Sequence, residues 1–198
     1  MKLFFILIST VFSTVYFSPQ TNKTVDDLLT KPFDLQKFKK IKGESNSGGA
    51  TKKSYYFKPD TVGMYYGFML FKPLYGYIGE TPSKDIFLEN GLEIITYKPF
   101  GKYKDKYIDP TETLIEVIAR FNDNDLPELA FVGLDTVKIK KKLGDNFLRK
   151  DSCFIYTKDK NALTLKVKGR TVEWLKYTRL NISLTTNNIP SGLLTEKN

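Results

Sequence analysis

The chain has 198 residues, of which 41% are hydrophobic and 14% aromatic; this suits one globular domain and excludes a disordered chain. Its net charge is +9, yet four of the 31 basic residues are arginine (Arg120, Arg149, Arg170, Arg179), and that lysine bias speaks against nucleic-acid or phosphate recognition. With no histidine and one cysteine, Cys153, the chain has no Ser-His-Asp or Cys-His arrangement, no imidazole metal site, no structural zinc and no internal disulfide.

Met1 and Lys2 precede an apolar run from Leu3 to Phe12, and small residues follow it. That order is the layout of a secretory signal peptide, and about ten apolar residues are too few for a spanning helix. Cleavage is expected after Ser13 (residues 1–13), with Ser18 as the latest alternative. Thr24 and Asp27 form a capping-box pair for a short helix over Val25 to Thr30. Asp34 is placed to cap a second, with Leu35, Phe38 and Ile41 on its inner face and Gly43 as its stop. Glu44 to Lys53 has no periodicity and reads as a loop.

From Ser54 to Gly79 the sequence is aromatic and punctuated by Pro59, Gly63, Pro73 and Gly76, which predicts strands. Ser83 is expected to cap a single-turn helix ending at Asn90, and Leu92 to Tyr97 a further strand. Asp109, Pro110 and Glu112 predict a helix start, and Leu114, Val117, Ile118 and Phe121 recur at helical spacing. Asp135 is expected to cap a helix from Thr136 to Leu143 that Gly144 closes. Three strands follow, Cys153 to Thr157, Ala162 to Lys168 and Thr171 to Arg179; in the second, Leu163, Leu165 and Val167 alternate with Thr164, Lys166 and Lys168, predicting one wet face. The expected architecture is one α+β domain over residues 24–180, with short helices on an antiparallel sheet and a poorly ordered tail over 181–198.

Gly133, Asp135, Ile139, Leu143 and Gly144 follow a helix signature bracketed by two glycines. With Tyr156 and Trp174 to Tyr177 downstream, residues 133–178 resemble the αβ unit of the small outer-membrane assembly lipoproteins of the BamE/SmpA type and of β-lactamase-inhibitor-like proteins. The resemblance implies a fold unit whose sheet face or loops bind other proteins without catalysis.

No nucleotide-binding glycine motif is present. Asn122 to Asp125 lacks the glycine and glutamate of a calcium loop. Carboxylate pairs that could support a hydrolase are Asp85 with Glu89 and Glu93, or Glu112 with Glu116. The aromatic block is the better lead: Phe57, Phe68 and Phe71 are expected in the core, while Tyr66, Tyr75 and Tyr77 are candidates for a stacking or anchoring surface. Lys138, Lys141 and Lys142, in a lysine-rich helix with Lys140, are candidates for an acidic-partner patch.

The sequence therefore predicts a secreted or periplasmic, non-catalytic binding module of a bacterial envelope. It carries no catalytic, cofactor or metal residues. Its expected partners are another envelope protein or a glycan, with no nucleic acid and at most peripheral membrane contact. The alternatives are a carboxylate-dependent hydrolase of envelope polysaccharide and an inhibitor or immunity-type protein.

Overall fold

The computed structural model describes residues 24–42, 56–78 and 81–196, so the expected signal peptide and the 44–53 loop lie outside the described residues. Two short helices, α1 (Val25–Thr30) and α2 (Leu35–Lys42), come first. The long strands β1 (Gly63–Ile78) and β2 (Thr81–Pro99) follow, then β3 (Thr113–Ala119) and helix α3 (Thr136–Leu143). Strands β4 (Leu148–Lys150), β5 (Cys153–Lys158), β6 (Asn161–Lys168) and β7 (Thr171–Arg179) complete the helices and strands among the described residues, apart from short 3-10 turns. All seven strands form one antiparallel sheet in the order β1-β2-β3-β7-β6-β5-β4. β3 and β7 join its two halves through pairs such as Val117 with Tyr177 and Ala119 with Leu175. The fold is thus a single α+β domain.

Local chemistry explains the helices. Thr24 Oγ1 accepts from Asp27 N at 3.2 Å, and Thr24 N donates to Asp27 Oδ2 at 3.1 Å, so both halves of the capping box form. Asp34 Oδ1 accepts from Lys37 N at 3.1 Å and caps α2. Asp135 caps α3 through Val137 N at 2.7 Å, and Gly144 leaves that helix at a φ of 85°, where a side chain would be strained. In α2 the inner face differs from expectation: Ile41 is exposed and Lys39 is buried, because the lysine has an ionic partner inside.

Two expected helices are strands. Residues 81–90 belong to β2, and residues 113–119 form β3. Asp109 does cap, but it caps a single turn: its Oδ1 accepts from Thr111 N at 2.8 Å and from Thr111 Oγ1 at 2.6 Å. The run after it, Thr-Leu-Ile-Glu-Val-Ile-Ala, is rich in β-branched residues and is buried on both sides, so helical spacing among its apolar residues is incidental. Gly91, just after the segment expected as a helix, lies within β2, where a Cβ would overlap the Phe121 ring.

The sheet is covered on both faces. On one, Leu28, Leu29, Phe38 and Ile139 from the helices cluster with Ile94, Val117, Leu163 and Leu175. On the other, Cys153, Ile155, Ala162 and Trp174 cluster with Leu180, Leu184, Ile189 and Leu193. Residues 181–196 are therefore packed chain rather than a loose tail, and they account for a second correction. Ala162 and Thr164 are buried like Leu163 and Leu165, so the central part of β6 has no wet face. Leu193 is fully enclosed, and its Ser191–Leu193 turn brings the Gly192 and Thr195 carbonyls to Lys176.

Candidate binding surface

The expected surface residues are distributed over separate places. Tyr66 lies on β1, half-buried against the first core, with the Lys98 ammonium 5.6 Å from its ring centroid. Lys138 and Lys141 are exposed on α3. Lys142 is partly buried with its ammonium 4.6 Å from the Phe131 ring centroid, and burial lowers its pKa. Helix α3 is tied to the β5 and β7 side of the sheet: Tyr156 Oη donates to the Gly144 carbonyl at 2.9 Å and Gly133 N donates to the Val172 carbonyl at 2.8 Å. Tyr66 stands at the opposite edge of the strand order, so tyrosine and lysines do not form one patch.

Tyr75 and Tyr77 lie on β1 past the part of the hairpin that the rest of the sheet supports. β2 pairs with β3 from Leu92 to Tyr97, whereas β1 and β2 continue to pair with each other through Tyr75 with Ile86 and on to Ile78 with Thr81. Among the described residues no third strand joins 71–78 or 81–90. This part is a two-stranded arm, interrupted by register shifts at Leu70/Phe71 and Tyr75/Tyr77. Its sequence places apolar residues at both alternating sets of positions, with Leu74 opposite Phe87 and Tyr75 opposite Ile86. Two strands alone are marginal in water, and paired strands with an unmatched outer edge are a template for association.

Glu112 and Glu116, nominated as a pair for hydrolysis, do not converge. Glu112 is on the helix-covered face, where its Oε2 accepts from Lys39 Nζ at 2.6 Å and its Oε1 accepts from Thr96 Oγ1. Lys39 also donates to the Tyr107 carbonyl and sits 4.4 Å from that ring's centroid. Glu116 lies on the other face, within 3.9 Å of Lys176 Nζ and accepting from Thr178 Oγ1 at 3.4 Å. Lys176 Nζ donates to the Gly192 and Thr195 carbonyls at 3.0 and 3.3 Å. Glu93 is paired with Arg120 at 3.0 Å, and the Asp85 and Glu89 side chains lie outside the described residues.

The sequence reading missed this interior polar framework. Its signal was available: Glu116 is flanked by Ile115 and Val117, and Lys176 by Leu175 and Tyr177. A charge inside an apolar run is a candidate for an inward, paired group.

A cleft of about 240 Å³ beside α2 is lined by Gln36, Pro110, Glu112, Leu114 and Arg179, with Asp34 at its margin. Both acids there have work already. Glu112 neutralises Lys39, and the Asp34 carboxyl is held below its ordinary pKa of 3.8, chiefly by the Lys37 amide and also by Lys31. Asp34, with its pKa lowered, is not the raised-pKa general acid that a glycosidase needs.

Burial pushes the Cys153 thiol pKa up and raises the Tyr156 and Tyr177 phenols to about 12, so these groups stay neutral and structural across the physiological range. Among the described residues no cluster of three acids, cysteines or histidines could hold a metal ion, and no helix is long and apolar enough to cross a membrane. No protein-family model, no curated protein and no solved structure matches this chain, including the helix-and-meander unit of residues 133–178.

Proposed function

We propose that this protein is a secreted or periplasmic, non-catalytic binding module that presents the β1–β2 arm to another protein of the envelope. The observation that carries the reading is the continuation of β1–β2 pairing to Ile78 and Thr81 after β3 has stopped pairing at Leu92. A ribbon of this kind gains little by itself in water, and it gains most when a partner supplies a third strand or a groove. Its aromatic residues are of the type that anchors interfaces, with Tyr75 and Tyr77 as the expected anchors. The N-terminal address supports the compartment, and the separation of Glu112 from Glu116 supports a module over a hydrolase.

The test is the paired substitution Tyr75→Ala and Tyr77→Ala in the full chain. Capture of a specific envelope protein is expected to weaken at least roughly thirtyfold, the loss of about 2 kcal/mol that a single interface hot spot carries. Thermal unfolding is expected to move by no more than about 4 °C, a shift of about 1 kcal/mol or less in a domain of this size. Capture unchanged by the substitution would show that these rings are not the anchors and would overturn the reading, and a collapse of the thermal transition would place them in the core instead.

A further inference from the structure

A second surface stands at the other end of the same hairpin, and it goes beyond the reading of the arm. Phe100 N donates to the Val62 carbonyl at 2.9 Å, which extends the β1–β2 register by one pair beyond Gly63 with Pro99. By the alternation of a strand, Val62 and Phe100 then share a face with the Met64 and Lys98 pair. Three of these side chains are open to solvent: Val62 is 77% exposed, Met64 43% and Phe100 53%.

The loop that follows Phe100 folds back on this face. Lys98 Nζ donates to the Lys106 carbonyl and lies 3.8 Å from Asp109 Oδ2, and this anchors the loop from beneath. Within it Lys104 N donates to the Gly101 carbonyl at 3.2 Å and Lys106 N to the Tyr103 carbonyl at 2.9 Å, so the turns are closed. Lys102, Lys104 and Lys106 are exposed. The first and last hold their ammoniums 5.5 and 5.8 Å from the Tyr103 ring centroid. Exposed Asp105 is the one opposing charge in the loop.

We infer that Val62, Met64 and Phe100 with the 101–106 lysine loop form an interfacial docking patch for an anionic phospholipid surface. The chemistry matches on both counts. Apolar side chains enter the boundary between headgroups and acyl chains, and lysines on flexible stems reach lipid phosphates around them. Tyr103 is suited to the same depth, with an apolar ring and a polar tip. A chain carrying +9 approaches any anionic surface, so specificity resides in the apolar residues and in this loop's position beside them.

The experiment is flotation of the full chain with vesicles of phosphatidylcholine alone and with about 30 mol % phosphatidylglycerol added, at about 50 and about 500 mM NaCl. The chain is expected to float with the anionic vesicles and to remain unbound with the neutral ones. Lys102→Glu with Lys104→Glu should lower partitioning by at least about fivefold for each lysine. Phe100→Ser with Met64→Thr should lower it roughly fivefold at both salt concentrations, because the apolar contribution is not screened. Lys138→Glu with Lys141→Glu, the same charge change on α3, should have the smaller effect. The inference is overturned if anionic vesicles retain no protein, or if the α3 pair costs as much as the loop pair. It is equally overturned if the Phe100 and Met64 changes leave binding intact, since a purely electrostatic surface would fit an acidic protein instead.

Discussion

Glu112→Leu is expected to destabilise the domain by about 3–5 kcal/mol, because it leaves the Lys39 ammonium buried without its counter-charge. The two side chains are 1% and 3% exposed and 2.6 Å apart, so water cannot take the carboxylate's place at little cost. Thr96 Oγ1 loses its acceptor in the same step. The complementary double substitution Lys39→Met with Glu112→Leu should recover most of the loss, since two apolar residues of similar volume carry no desolvation penalty. Urea unfolding of the three variants checks this through the midpoint, with the slope unchanged. A single substitution costing less than about 1 kcal/mol would show that the pair is solvated or rearranged in solution.

Ending the chain after Asn181 is expected to have an effect at least as large. The truncation removes Leu184, Ile189 and Leu193 from their packing against Cys153, Ile155, Ala162 and Trp174. At about 1.5–3 kcal/mol for each buried aliphatic side chain, the loss approaches the whole stability of a typical domain. It also takes from Lys176 its two carbonyl acceptors at Gly192 and Thr195, leaving a fully buried ammonium with Glu116 3.9 Å away. The shortened chain should be insoluble, or should retain strand signal without a cooperative melt. A cooperative transition within about 5 °C of the full chain would contradict the two-faced core.

Much of the C-terminal half is legible residue by residue. Asp135, Gly144 and the alternating strands from Cys153 to Arg179 carry local instructions that agree with their surroundings, and the helix and meander form at the expected positions. The N-terminal helices are legible for the same reason, since capping groups act within a few residues. The failures share one cause. Around Asp109 and Ser83 the sequence holds helix-start chemistry, yet the following residues are claimed by pairing partners on other strands, Tyr177 for Val117 and Leu74 for Phe87. No local pattern reports such partners.

The tail and the wet face of β6 failed together, because each depends on the other. Ser, Thr and Asn dominate residues 181–191, and only the spacing of Leu184, Ile189 and Leu193 shows that they have a surface to cover. On the functional side, Tyr66, Tyr75 and Tyr77 were singled out by composition, but composition does not separate the supported part of a hairpin from its free end. Strand pairing does that. The lysines of α3 stand on a helix beside β5 and β7, whereas Tyr66, Tyr75 and Tyr77 stand on β1 at the sheet's far edge.

The central claim, that the arm of β1 and β2 is the partner-facing element, is tested most directly by placing a photo-cross-linking amino acid at Tyr75 in the full chain. The control carries it at Val137, which is exposed on α3. After illumination in native envelope extract, the account predicts one discrete heavier adduct from position 75 and none from position 137. Equal adducts from both positions, or no intermolecular adduct from position 75, would contradict it.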